Sequence, residues 1–149
     1  MAMDPRLLGY LNRALDHEMA AVQQYMAQSR LCDLWGMAEY CAHFRQDVIE
    51  ELGHVETLME ALLRLGMPPN ATRLAPVRLG RSLEEMIAID RVLEVDAVRL
   101  YEEAAAYCAR VRDAAHQAIF ERILHDELQH LQDLDKMSAS LPNKEARHA

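Results

Sequence analysis

Glu18, Glu51, Glu94 and Glu127 each stand inside an apolar stripe of helical period, and a chain folding around them must place four carboxylates in its core. Glu18 lies seven residues after Leu11 and seven before Tyr25. Glu51 falls between Val48 and Val55 with His54 one turn on, Glu94 between Ile87 and Tyr101, and Glu127 between Ile123 and Leu131 with His130 beyond it. Seven residues make two helical turns, so each carboxylate shares the inward face of its segment with hydrocarbon. Glu18 to Glu51 and Glu94 to Glu127 are both separations of 33 residues, each second Glu is followed three residues later by His, and an offset of 76 relates the two halves. The same offset pairs Ala21 with Ala97, Val22 with Val98, Tyr25 with Tyr101, Leu52 with Leu128 and Leu58 with Leu134. This is a faint internal duplication, best matched at the ionisable core residues.

The stripes divide the chain into four helices, at about residues 5–32, 37–65, 83–110 and 114–139 of a single all-α domain spanning 1–149. Asp4-Pro5 is an N-cap followed by Pro at the first helical position, and it opens a stripe of Leu7, Leu8, Leu11, Ala14, Leu15, Val22 and Tyr25. Asp33 to Gly36 is a short turn, after which Cys41, Phe44, Val48, Val55, Leu58 and Leu62 form a second stripe ending at Gly66. A connection of about sixteen residues follows, rich in Pro and Gly and far longer than usual. It is long enough to carry the chain from one end of a bundle to the other, so helix three should run parallel to helix two. Ser82-x-x-Glu85 is a capping box opening a stripe of Leu83, Ile87, Ala97, Val98, Tyr101, Ala105 and Cys108. Asp113 caps a fourth helix carrying Phe120, Ile123, Leu131 and Leu134, and a polar tail from Asn143 to Ala149 is expected to fray.

Four unpaired carboxylates cannot sit in such a core, because each buried charge costs several kcal/mol and like charges raise one another's pKa. Two divalent metals neutralise them, and the neutral imidazoles of His54 and His130 complete a mixed ligand set suited to iron or manganese. One Glu from each of two helices, with Glu-x-x-His from each of the other two, is the ligand set of di-iron and di-manganese carboxylate bundles. A lone Glu-x-x-His on an amphipathic helix would be a solvated face; two, each 33 residues after another inward Glu, are not. The three cysteines, Cys32, Cys41 and Cys108, form no close pair, which argues against a disulfide framework and a thiolate zinc site. Cys41 and Cys108, among apolar neighbours, are expected as small buried hydrophobes in a reducing cytoplasm. A formal charge of −8 with no basic, aromatic-interleaved patch speaks against nucleic acid, and no apolar run long enough for a span or signal peptide speaks against membrane and secretion.

Residues 5–138 resemble the bacterioferritin family. The likeness is carried by Tyr10-Leu11-Asn12, Glu18 with Gln24-Tyr25, Trp35-Gly36, Glu51-x-x-His54, Leu65-Gly66-Met67-Pro68, Glu94-x-Asp96 and Asp126-Glu127-x-x-His130. It implies a ferritin-like bundle with a ferroxidase centre of two iron ions per chain, manganese or zinc being able to substitute. Glu18 and His54 would be terminal on one iron, Glu94 and His130 terminal on the other, and Glu51 and Glu127 bridging. The implied activity is oxidation of Fe²⁺ by O₂ or H₂O₂ and, in cages, storage of ferric mineral. Three departures stand out. The family binds haem between two subunits through a Met between the Glu and His of the first motif, where this chain has Leu52, so haem is not expected; Met19 and Met26 are expected as interface packing. The chain stops soon after Pro142, with a short or absent fifth helix, which favours a two-fold homodimer over a 24-subunit cage. The family's inner-surface iron site is Gln46 and Glu50 here, and Asp133 replaces an expected aromatic. Two rivals keep the site: a non-storage peroxidase or oxidase of rubrerythrin type, and an assembly subunit partnering a haem-bearing paralogue.

Around the six ligands, Tyr25 and Tyr101 are candidates for hydrogen-bonding a ligand or donating an electron, and Asp90, Asp126 and Glu50 for orienting imidazoles. His17, His43, His116, His125 and His148 lack matched partners and read as surface or packing residues.

Overall fold

A computed structural model describes residues 3–142; His148 and the tail from Asn143 lie outside the described residues. It has four helices, α1 (Pro5–Leu34), α2 (Ala38–Arg64), α3 (Leu83–Arg110) and α4 (Ala114–Ser140), with no strand among the described residues. Asp4 caps α1 by accepting from the amides of Arg6 and Leu7, and Asp113 caps α4 by accepting from that of His116. At α3 the capping box is displaced by one residue. Ser82 accepts from the Glu85 amide, but the Glu85 carboxylate reaches back to the amide of Arg81.

Three helices end in the same closure, an amide reaching the carbonyl five residues back: Met37 to Cys32, Met67 to Leu62 and Asp113 to Cys108. The closure needs a left-handed residue, supplied by Gly36 (φ 75°), by Gly66 (φ 76°) and, at α3, by Arg112 (φ 61°), which carries a side-chain penalty the glycines avoid.

Residue pairings give the helix directions. Tyr25 meets Glu94, Gln28 meets Asp90 and Tyr101 meets Glu18, so α1 and α3 are antiparallel. Ser29 near the end of α1 meets Cys41 near the start of α2, so those two are antiparallel as well, and α2 therefore runs parallel to α3. Residues 65–82 make the end-to-end crossing this requires. The strap is tied to α1: Asp16 accepts from the amides of Thr72 and Arg73, and the Gln24 amide both donates to and accepts from the Arg78 backbone, at 2.7 and 2.9 Å.

The core has two apolar ends. One contains Leu11, Leu15, Leu58, Leu62, Tyr101 and Phe120. The other contains Tyr25, Phe44, Met86, Ile87 and Leu134. On every helix the predicted ligands fall between a residue of one end and a residue of the other, as Glu18 does between Leu15 and Ala21. Apolar clusters thus flank the ionisable layer on both sides, the one around Tyr25 and Phe44 being interrupted by buried Asp47, Asp90 and Gln28. Some predicted core positions are only half-buried, namely Leu8, Val22, Cys41 and Leu131. A straight helix drifts against a seven-residue stripe, so residues at the stripe's margin rotate toward solvent. Cys41 sits at such a margin, where Ser29 donates to its carbonyl, whereas Cys32 is fully buried. All three cysteines are free thiols. No helix among the described residues is long and apolar enough to cross a membrane.

Candidate metal centre

Each helix brings its predicted ligands to one layer: Glu18 from α1, Glu51 and His54 from α2, Glu94 from α3, Glu127 and His130 from α4. All six are buried, none more than 6% exposed. Their ligand atoms fall into two overlapping groups, Glu18, Glu51, His54 and Glu127 in one and Glu51, Glu94, Glu127 and His130 in the other. Glu51 and Glu127 belong to both. His54 Nδ1 lies 3.0 Å from Glu127 and His130 Nδ1 lies 3.1 Å from Glu51, so each imidazole faces the other helix's central carboxylate.

The 76-residue duplication is realised as a pseudo-two-fold. Tyr25 donates to Glu94, and its counterpart Tyr101 donates to Glu18 at 2.6 Å. Tyr25 stacks on Phe44 with ring centroids 6.3 Å apart, and Tyr101 packs on Phe120 at 6.2 Å. Asp126 pairs with His54 Nε2 at 2.8 Å, and Glu50 pairs with His130 Nε2 at 2.5 Å. The carboxylate that orients each imidazole therefore comes from the opposite helix, not from the residue four positions before that histidine on its own helix. The 54–126 and 50–130 pairings show α2 and α4 running antiparallel, which sets each carboxylate beside the other helix's imidazole. Asp90 corrects the expectation differently, since it touches no imidazole and instead accepts from Gln28 at 2.7 Å.

Electrostatics without metal show what the layer lacks. Burial disfavours charge on His54, but contacts with Glu127, Glu51 and Asp126 outweigh it and push its pKa up to about 10. Burial opposes charge on His130 too, and Glu127, Glu51 and Glu94 together hold it protonated. Burial, helped by neighbouring Glu127, raises the Glu94 carboxyl, while Glu127 stays ionised: burial and Glu51 oppose its charge, and contacts with Glu94, His130 and His54 prevail. Cations are thus what the layer seeks, and imidazolium protons stand in for them. Hydrogen bonding remains incomplete: Glu18 Oε2, both oxygens of Glu51, His54 Nδ1, Glu94 Oε2, Glu127 Oε1 and His130 Nδ1 are buried in no aligned hydrogen bond, the ring nitrogens meeting Glu127 and Glu51 only as close ion pairs. Every one of the six side chains contributes an orphan, and all are donors of the type iron or manganese takes.

A ferritin-like domain model matches residues 8–143. The bacterioferritin of Rhodobacter capsulatus is 37% identical over 91% of this chain and 84% of its own length. The chain belongs to the bacterioferritin family. Bacterioferritin BfrA of Mycobacterium tuberculosis is 31% identical over 91% of this chain and 85% of its own. A solved structure of the R. capsulatus bacterioferritin, described as having a metal-free dinuclear site and a haem iron in a crystallographic special position, superposes with a TM-score of 0.89. It is 36% identical to this chain, covering 93% of it and 87% of its own length.

The remaining histidines among the described residues do not join the layer: His116 pairs with Asp113 at the α4 cap, His125 is exposed and His17 half-buried. His43 stands 3.4 Å from Asp47, a buried carboxylate absent from the sequence-level candidates. Gln28, fully buried, is also absent from them. Both were within reach of the stripe rule, Asp47 lying between Phe44 and Glu51 and Gln28 three residues after Tyr25. They lack matched partners at 76 residues, where the chain has Ile123 and Ala104, so the repeat does not mark them. Burial pushes Asp47 up to about 7 and Asp90 up to about 8.

Because Asp126 and Glu50 set the orientation of the two imidazoles, Asp126→Asn and Glu50→Gln are each expected to weaken divalent-cation binding about 10- to 100-fold. Calorimetric titration with Mn²⁺ measures this, and unchanged affinity in both variants would remove the orienting role.

Proposed function

We propose that this chain oxidises Fe(II) to Fe(III) at a dinuclear carboxylate centre, in the service of iron storage and detoxification. The observation that carries the reading is the convergence of orphaned polar atoms from all six side chains in one buried layer. Glu18 and His54 would hold one metal, Glu94 and His130 the other, and Glu51 and Glu127 would bridge. Bound iron supplies the one-electron chemistry, with O₂ or H₂O₂ as oxidant. The protein's part is geometric and electrostatic. Tyr25 and Tyr101 fix the outer carboxylates by donating to them, Asp126 and Glu50 fix the imidazole rings, and the two apolar ends keep bulk water from the layer. Leu52, 47% exposed on α2, offers no axial ligand, so the reading assigns no haem to this position. It takes the chain to be cytoplasmic and to work in homo-oligomers.

The test is an anaerobic Fe²⁺ titration of metal-free protein followed by a pulse of O₂, watched in the near ultraviolet. Saturation at two irons per chain with a fast oxidation phase is expected; oxidation no faster than in buffer would refute the assignment.

A pH dependence follows. His54 and His130 hold protons in the metal-free layer and must shed them to become ligands. Protons therefore compete with the cation, and apparent affinity should rise with pH across the neutral range, the contribution of His54 ending near pH 10, where it loses its proton unaided. Mn²⁺ titrations in two buffers of different ionisation enthalpy should report net proton release at neutral pH, and zero release would contradict the protonation pattern.

A further inference from the structure

The pseudo-two-fold that relates the ligands, the tyrosines and Phe44 with Phe120 breaks at several buried positions, among them three where a buried carboxyl or carboxamide has a buried apolar counterpart. By the 76-residue offset, Asp47 corresponds to Ile123, Asp90 to Ala14 and Gln28 to Ala104, and all six are buried. The polar members lie on one side. Asp47 acts electrostatically on His130 and Glu94, Asp90 acts on Glu94, and both act on Tyr25, the residue that donates to Glu94. The apolar members belong to the hydrocarbon end that also holds Tyr101, the residue that donates to Glu18. The contrast continues outward, where His43, beside Asp47, lines a surface hollow of about 460 Å³ while its counterpart Ile119 packs against the apolar end.

Resting on the dinuclear reading above, we propose that the two metal positions are unequal: the position held by Glu94 and His130 binds a divalent cation more tightly than that held by Glu18 and His54, because Asp47, within 4.8 Å of a His130 ring nitrogen, and the Asp90–Gln28 pair one turn from Glu94 lie on its side where the other has Ile123, Ala14 and Ala104. A cation entering a buried layer loses its hydration, and what replaces that hydration beyond the ligands decides how much is recovered. Hydrocarbon recovers little. Carboxyl and amide groups recover more in either protonation state, since both present polar atoms. Gln28 donates to Asp90, yet Gln28 Oε1 and Asp90 Oδ2 remain buried without hydrogen-bond partners. Asp90 stands one helical turn from Glu94, so this under-satisfied pair is placed to respond to charge arriving there. Asp47, Asp90 and Gln28 are positioning residues in this account and touch no substrate.

Anaerobic Co²⁺ titration of the metal-free full chain, followed by ligand-field absorption, tests the asymmetry. Two binding steps are expected, differing about tenfold in affinity. Glu94→Gln should remove the tighter step and Glu18→Gln the weaker. Asp47→Ile, which copies the opposite side, should weaken only the tighter step and bring the two together; Gln28→Met, close to isosteric, should act in the same direction if Asp47→Ile does not fold. Two ions binding with equal affinity, or both variants weakening both steps alike, would overturn the asymmetry while leaving the dinuclear centre standing. No stoichiometric Co²⁺ binding would overturn both.

Discussion

Replacing Glu51 and Glu127 together by alanine is expected to abolish the fast phase of Fe(II) oxidation while leaving the helical circular dichroism intact. These two carboxylates alone belong to both ligand groups, and each imidazole faces one of them at about 3 Å. Their loss therefore removes a ligand from both metal positions at once, whereas Glu18 or Glu94 serves one. The fold should survive, because the helices are held by the apolar clusters on either side of the layer. The substitution also removes two buried carboxyl groups whose burial opposes folding in the metal-free protein. His54 and His130 lose the contacts that hold their protons and can rest neutral, which suits a buried ring. Stopped-flow absorbance on the variant is the measurement, and an undiminished fast phase would place the chemistry elsewhere.

The second large effect is thermal. A cation that binds the folded layer and not the unfolded chain stabilises by mass action, about 4 kcal/mol at a thousandfold excess over Kd. For a chain of this length, at about 2–4 °C per kcal/mol, that raises Tm by about 8–16 °C. The imidazolium protons already offset part of the carboxylate repulsion, so the gain should be larger at pH 8 than at pH 6, where the cation must displace them against higher proton activity. Differential scanning calorimetry with saturating Mn²⁺ reads the shift. The doubly substituted variant should show none, and an equal shift in that variant would mean that the stabilising cations bind outside the layer.

How much of this was legible beforehand varies from residue to residue. The four helices were legible because the stripes of Leu, Val and Ile repeat at helical period between clear caps at Asp4, Ser82 and Asp113. The convergence of the six ionisable residues was legible because each occupies a position where only hydrocarbon belongs, and because they recur at a fixed offset. Spacing along one helix, however, carries no information about what lies across from it. Asp126 was recognisable as an orienting group by its position before His130, yet it serves His54, since partner choice depends on the packing of α2 against α4. Tyr25 and Tyr101 are exchanged in the same way, Tyr25 donating to Glu94 and Tyr101 to Glu18. Asp47 and Gln28 are not legible from the repeat because they break it: their counterparts 76 residues away are Ile123 and Ala104. Arg112 could not be read at all: nothing in Val111-Arg112-Asp113 marks the left-handed turn that two glycines mark elsewhere.

The most direct measurement is iron-edge anomalous diffraction from crystals loaded with Fe²⁺ under anaerobic conditions. Two peaks per chain are predicted inside the bundle, one among Glu18, Glu51, His54 and Glu127 and the other among Glu51, Glu94, Glu127 and His130. A single peak outside the layer, or iron bound only by exposed carboxylates with the six buried side chains unchanged, would contradict the account.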